Sequence, residues 1–292
     1  MRMHAGEAAI DADLVARLVA EQFPALARLP VAEVRSTGTV NAVYRIGGDL
    51  YARLPRMAAW AADLEREQRW LPWLAPQLPL DIPRPVAAGQ ATAAYPFGWA
   101  IYRWIEGEPY ADAPPGDEPR AARDLARFVR ALRRLDPAGA PPAGRRPLRE
   151  LDEGTRAAIE QARSAIDADA AHRAWDDALR TDPWRGDAVW IHTDLLRPNL
   201  LTRSGRLTAV LDFGGAGVGD PAADVIAAWA VFGPAGRSVY REELDMDEQM
   251  WRRARGYALH QAAMIIPYYA ETNPGFVALA RRTVEQVLLD GP

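Results

Sequence analysis

The chain has 292 residues, 49% of them hydrophobic, with 35 basic and 39 acidic side chains and a formal net charge of −4. That is enough apolar material for one large domain or two lobes, the mild acidity argues against a nucleic-acid partner, and no apolar run reaches the roughly 18 residues a membrane span needs. The chain has no cysteine and no lysine, which excludes disulfides, thiolate metal sites and cysteine nucleophiles together with lysine-dependent P-loops and Schiff bases.

At the N-terminus, MRMHAGEAAIDADL carries acids where the apolar core of a signal peptide would stand, so a cytoplasmic protein is expected. Leu14, Val15, Leu18 and Val19 predict a helix over 11–23. Residues 31–55 alternate apolar and polar side chains and are cut at Gly38 and at Gly47-Gly48, which predicts three short antiparallel strands. A helix rich in acids and arginines is expected over 58–74, and IPRPVAAGQ and FGWAIYRWI read as two more strands. Residues 1–105 thus read as one lobe, a five-stranded sheet with one inserted helix. The acidic, proline-rich stretch 106–119 reads as a connector. Residues 120–292 read as a larger lobe. It should hold an amphipathic helix over 120–135, a loop over 136–147, one or two helices over 155–179, and short strands around Trp190, Leu200 and Val210. From Pro221 helix should run nearly to the end, broken at Gly233-Pro234 and Asn273-Pro274. The expected fold class is α+β and bilobal, a small antiparallel sheet lobe followed by a mainly helical one.

The stretch VWIHTDLLRPNLLTRSGRLTAVLDFGG, residues 189–215, places Asp194 and Asp212 in separate apolar runs with Asn199 between them. A buried charge left unpaired costs roughly 3–5 kcal/mol, so a metal, a phosphate-bearing ligand or a salt bridge is implied. Phosphoryl transfer asks for a base to orient the acceptor hydroxyl, hard oxygen ligands for Mg²⁺ and a cation for the phosphate tail. Asp194 suits the first role; the amide oxygen of Asn199 and the carboxylate of Asp212 suit the second.

His192-x-Asp194, Asn199 and a strand ending in Asp-Phe-Gly resemble the catalytic core of the protein-kinase fold. With the continuation Gly-Val-Gly-Asp-Pro-Ala-Ala-Asp over 217–224, the chain resembles the aminoglycoside phosphotransferase family of antibiotic kinases over nearly its whole length. Within that family it is most similar to the actinobacterial branch of viomycin and capreomycin phosphotransferases. The resemblance implies Asp194 as catalytic base and Asn199 and Asp212 as Mg²⁺ ligands. It implies His192 as a structural residue bonding backbone near Asp212, and Asp220 as a helix cap that also braces the catalytic loop. Arg53 stands where kinases usually carry lysine, with Glu67 as its partner and Glu65 as second choice, and its fork suits α- and β-phosphates. Gly38 and Asn41 would belong to a reduced phosphate-covering loop, and backbone groups of Arg103, Trp104 and Ile105 would read the adenine edge. The donor implied is ATP, with GTP as the alternative. The implied partner is a small molecule with a free hydroxyl, an antibiotic before a sugar, choline-like or amino alcohol. Two departures stand in the loop: Thr193 replaces the usual glycine, and Arg197-Pro198 the usual Pro-Gly. Arg197 could meet a phosphate or solvent.

Plainer readings stand beside these. Asp194 and Asp212 could pair with buried arginines such as Arg197, and Glu67 could form an ordinary helix surface pair. A nucleotide-binding module without turnover would fit Arg53, Thr193 and the thin glycine loop. A metal centre built on His192 and Asp194 lacks further ligands. His172 and His260 have no companions at metal spacing. The acids among 242–248 and 152–182 read first as solvated faces and second as an attractor for a polycationic substrate.

Overall fold

A computed structural model describes residues 7–34 and 40–291. Two compact units share the chain: Met1–Gly107 with Ala209–Gly214, and Glu108–Thr208 with Gly215–Pro292.

In the first unit, α1 (Ala12–Gln22) begins at Asp11, whose carboxylate accepts from the Leu14 N–H at 2.7 Å. The sheet follows as β1 (Val31–Glu33), β2 (Asn41–Ile46) and β3 (Leu50–Pro55). Next come a short 3₁₀ turn over Ala58–Trp60, then α2 (Ala61–Leu74), β4 (Pro85–Gly89) and β5 (Trp99–Arg103). The strands pair antiparallel in the order β1-β2-β3-β5-β4. Gly47, at φ +60°, supplies the left-handed residue of the β2–β3 turn. The apolar stripe of α1 packs on Ala42, Tyr44, Ile46, Ala52, Leu54, Trp99 and Ile101. An 11-residue helix is too short to persist alone, and each buried aliphatic side chain contributes about 1.5–3 kcal/mol toward holding it.

The two-residue period of the strands then fixes what the other face carries. Ala52 and Leu54 point toward α1, so Tyr51 and Arg53 point away from it. Tyr51 lies opposite Tyr102 in the ladder, and their rings stack 5.3 Å apart. Helix α2 buries Leu64, Glu67, Leu71 and Leu74, spaced three and four apart, so an acid occupies a position of its apolar stripe. Residues 209–214 belong with this unit because Val210 N–H donates to the Asp81 carbonyl at 2.9 Å and Ala209 bridges Asp81 in parallel. By sequence alone they group with the helical lobe.

The second unit opens with β6 (Glu108–Pro109), a strand inside the stretch read as connector. Asp117 caps α3 (Glu118–Arg133), whose buried face runs from Ala121 to Leu132. After α4 (Asp152–Gln161) and α5 (Ala168–Leu179) come β7 (Val189–Ile191), β8 (Leu200–Arg203) and β9 (Arg206–Val210). Ser204 and Gly205, at φ +52° and +72°, form the hairpin turn between β8 and β9. Strand β6 pairs with β8, and β7 pairs with β10 (Gly217–Gly219), which the sequence reading did not foresee. A 3₁₀ helix over Pro221–Ile226 leads into α6 (Ala227–Ala230), α7 (Pro234–Glu243), α8 (Glu248–Tyr268) and α9 (Pro274–Leu289). The expected breaks at Gly233-Pro234 and Asn273-Pro274 fall at the starts of α7 and α9. A third, over 244–247, arises where Asp245 turns left-handed at φ +50° and Asp247 caps α8. Helix α8 buries an unbroken run from Arg253 to Leu259, with Trp251, Ala262, Ala263 and Ile266 buried on either side of it. Among the described residues no helix is long and apolar enough to cross a membrane.

Candidate active site

In the first unit, chemistry gathers around Arg53 on β3. Its Nη1 donates to both oxygens of Glu67, at 2.8 and 2.7 Å, and its Nη2 to Asp212 Oδ1 at 3.1 Å. Glu67 also accepts from the Tyr102 hydroxyl at 2.9 Å and the Phe213 N–H at 2.8 Å. Burial pushes the Glu67 carboxyl above its usual range, opposed by the Arg53 guanidinium. For Arg53, burial works against the charge, but Glu67 and Asp212 outweigh it and hold the group well above its ordinary value. The fork expected to clamp phosphates is therefore largely engaged by two carboxylates; of its five N–H groups, two lie outside these bonds. Glu67 is the partner and Glu65 faces solvent. Asp212 differs from Glu67: its side chain is 40% exposed, and its backbone is left-handed at φ +65°. A Cβ on the next residue but one, Gly214, would come 2.9 Å from Asp63 Cβ, so only glycine fits that close approach.

Gly38 lies outside the described residues. The N–H groups of Arg103 and Trp104 already donate to the carbonyls of Arg84 and Asp49, at 2.9 and 2.8 Å. Reading a base edge through this segment is thus left to its carbonyls and to Ile105. Asn41 begins β2 with its side-chain oxygen buried and unpaired among the described residues.

In the second unit, β7 runs into the loop His192-Thr193-Asp194. Asp224, fully buried, accepts from the His192 N–H at 2.9 Å and from the Thr193 N–H at 2.8 Å. Sequence reasoning gave the bracing of this loop to Asp220 and assigned Asp224 no role. Asp220 caps the 3₁₀ helix as expected, accepting from Ala222 N–H at 2.9 Å, and pairs with Arg253 at 3.0 Å. A signal for Asp224 existed: an acid inside the apolar run PAADVIAAWAVF must find donors. His192 is buried, and its Nδ1 accepts from the Asp194 N–H at 3.2 Å, a structural bond to backbone. Thr193 stands at φ +76°, which explains why glycine suits this position. Arg145 Nη2 donates to the Thr193 carbonyl at 2.6 Å, so the strained residue is held on both sides.

Around Asp194, Asn199 Nδ2 donates to the Asp194 carbonyl at 2.9 Å and to Oδ2 at 2.6 Å. These bonds fix the amide so that its oxygen faces elsewhere, the orientation a metal ligand requires. Gln261 of α8 donates from Nε2 to Asp194 Oδ1, and Arg145 Nη2 donates to Gln261 Oε1 at 3.1 Å. Burial lowers the pKa of Arg145, and Asp194 is the first of the charges that oppose this. Neither Arg145 nor Gln261 carried a sequence signal. Arg197, partly exposed, donates to the Val231 carbonyl at 2.9 and 2.7 Å and lies over the Tyr110 ring.

The acidic stretches are largely committed to internal bonds. Asp177 pairs with Arg252 and Arg255, Asp152 with Arg156, Glu243 with Arg130, and Asp247 caps α8. His172 pairs with Glu160, and His260 Nδ1 meets the Thr155 hydroxyl at 2.8 Å. Among the described residues no cluster of three or more His, Cys, Asp or Glu side chains could hold a metal by itself.

The model of the phosphotransferase enzyme family matches residues 31–257. An aminoglycoside 3'-phosphotransferase of Streptomyces fradiae is 30% identical over 226 residues, 72% of this chain and 78% of its own. Among solved structures, the GDP complex of a point mutant of aminoglycoside 2'-phosphotransferase-IIIa superposes with a TM-score of 0.76 at 21% identity, covering 94% of this chain and 97% of its own. The apoenzyme of a macrolide 2'-phosphotransferase from Brachybacterium faecium gives 0.57 at 24% identity, over 97% and 98%.

Proposed function

Because the chain belongs to the phosphotransferase enzyme family, we propose that it transfers the γ-phosphate of ATP or GTP to a hydroxyl of a small antibiotic, an aminoglycoside or a macrolide-like alcohol. The observation that carries this reading is the loop at Asp194, with its backbone pinned by Asp224 and its carboxylate oriented by Asn199. A loose transition state leaves little covalent work to the protein, so rate comes from positioning and electrostatics. Asp194 accepts or orients the proton of the attacking hydroxyl. His192 and Asp224 fix the backbone from which it projects.

Each proposed ligand, taken by itself, fits Mg²⁺ chemically: Asn199 offers an amide oxygen, its nitrogen being engaged, and Asp212 a part-exposed carboxylate, both hard oxygen donors of the kind this ion takes. When bound, Mg²⁺ neutralises charge on the transferring phosphoryl group. Arg53 holds the Asp212 carboxylate in place and offers its remaining N–H groups to the phosphate tail. Carbonyls of Arg103 and Trp104, with Ile105, read the base. Relatives named for nucleotide complexes support a nucleoside triphosphate donor: the solved neighbours include GDP, ADP and ATP complexes. Neighbours bound to kanamycin and gentamicin support a cationic acceptor.

The test is phosphate transfer with Mg-ATP and Mg-GTP across aminoglycosides, tuberactinomycins, macrolides and common metabolite alcohols, with Asp194→Asn as control. Turnover on an antibiotic that is lost in the control supports the proposal. Turnover confined to a metabolite alcohol overturns the antibiotic assignment, and a fully active Asp194→Asn chain overturns the base.

A further inference from the structure

We propose that Gln261 is a positioning residue for the base, held in its working orientation by Arg145; this rests on the reading of Asp194 as that base. The two ends of a glutamine amide are chemically distinct, and only its surroundings decide which end faces where. Arg145 can only donate. Its Nη2 bonds to Gln261 Oε1 at 3.1 Å, so the Nε2 end is turned to Asp194 and donates to Oδ1. The same Nη2 donates to the carbonyl of Thr193, at 2.6 Å, one residue before the base. On the opposite side Asn199 donates to Oδ2 at 2.6 Å.

The carboxylate is therefore held at both oxygens, by Asn199 from its own loop and by Gln261 from α8. A planar group bonded at both oxygens resists rotation about its last torsion. A carboxylate oxygen has two lone-pair directions, so one donor at each oxygen does not by itself exclude an acceptor hydroxyl. A base must stand within hydrogen-bond reach of the proton it takes, and a displacement of about 1 Å can lower a rate on the order of 100-fold. Gln261 removes one such displacement. Glutamine is the side chain that satisfies both neighbours: glutamate would set two carboxylates face to face, and methionine would leave Asp194 Oδ1 and Arg145 Nη2 without this partner.

The test uses the full chain with nucleotide hydrolysis, water being the acceptor, so that the natural substrate need not be known. Variants Gln261→Met, Asp194→Asn and the double variant are compared, with Gln261→Ala as a second truncation in case methionine disturbs packing. The expected result is a fall in kcat of roughly 10- to 100-fold in Gln261→Met. The nucleotide KM should stay within about twofold, thermal stability should be nearly unchanged, and Asp194→Asn should suffer no further loss when the Gln261 change is added, because residues acting as a unit are non-additive. A merely structural role predicts the opposite pattern, an equal loss in both backgrounds and a lowered melting temperature, and that pattern overturns the proposal. So does wild-type kcat in Gln261→Met while Asp194→Asn is inactive, an outcome that leaves the role of Asp194 intact. A fully active Asp194→Asn chain overturns the reading of the base, and this proposal with it.

Discussion

Glu67 and Asp212 both bond to Arg53, yet removing them should have opposite consequences. Glu67 is 1% exposed, and its carboxylate receives two bonds from Arg53, one from Tyr102 and one from Phe213. In Glu67→Ala, Arg53, itself 8% exposed, loses its main counter-charge. Breaking a buried pair by deleting one partner costs about 3–5 kcal/mol. The stranded Tyr102 hydroxyl and Phe213 N–H add roughly 1 kcal/mol each, reduced by any water entering the vacated space. The residual bond from Arg53 to Asp212 offsets part of this. About 4 kcal/mol is expected overall, a large share of the roughly 5–15 kcal/mol that holds a domain together. Asp212→Asn, by contrast, removes charge from a side chain that is 40% exposed and bonded once at 3.1 Å. Partly exposed pairs of this kind contribute about 0–1 kcal/mol. Hydrogen exchange of β3 and β5 amides in the full chain, with thermal melts, gives the two costs. Magnesium-dependent nucleotide binding by calorimetry gives the functional half: it should be abolished in Asp212→Asn. A Glu67→Ala loss below about 1 kcal/mol would refute the view that this quartet of bonds organises the first unit.

Thr193→Gly should stabilise the second unit by roughly 0.5–1 kcal/mol: the left-handed penalty of about 1–2 kcal/mol is relieved, partly offset by the added entropy of the unfolded chain. Its denaturation midpoint should rise while turnover stays within a few-fold; a lower midpoint would show that the weak 3.4 Å contact from its hydroxyl to the Gly215 carbonyl matters more than backbone strain. His260 provides a pH signature. Burial, aided by Arg145 and Arg146, lowers its pKa from 6.5 to about 4 in the folded protein. The unfolded chain therefore takes up the extra proton between these values, so stability is fully present above about pH 6.5 and declines as pH falls through about 4. The loss is at most about 3 kcal/mol, since each tenfold change in proton affinity corresponds to about 1.4 kcal/mol. Melting temperature against pH should be flatter over that window in His260→Asn than in the wild type, and parallel curves would dismiss the assignment.

The sequence by itself determined the order of elements and the chemical inventory. Period-two alternation over 41–55 fixes which face Arg53 occupies, and the spacing of Leu64, Glu67, Leu71 and Leu74 puts an acid on a buried helical stripe. The places of Asp194, Asn199 and Asp212 beside their strands could be read because a few residues of chain separate each from its supporting strand, and local geometry ties such neighbours together. What only the tertiary structure decided lies in bonds between distant segments. Asp224 rather than Asp220 reaches the loop at His192, 32 residues earlier. Gln261 meets Asp194 across 67 residues of chain, and Arg145 meets Gln261 across 116. The Arg53 fork is shared by two acids, one of them 159 residues away. Residues 209–214 leave the helical unit for the sheet unit. Spacing along a chain encodes which side chains share a face, because the backbone repeat is rigid over a turn or a strand. Which faces then meet is set by the burial of apolar stripes from many elements at once, and the polar partners carried on those stripes are known only after that burial is complete.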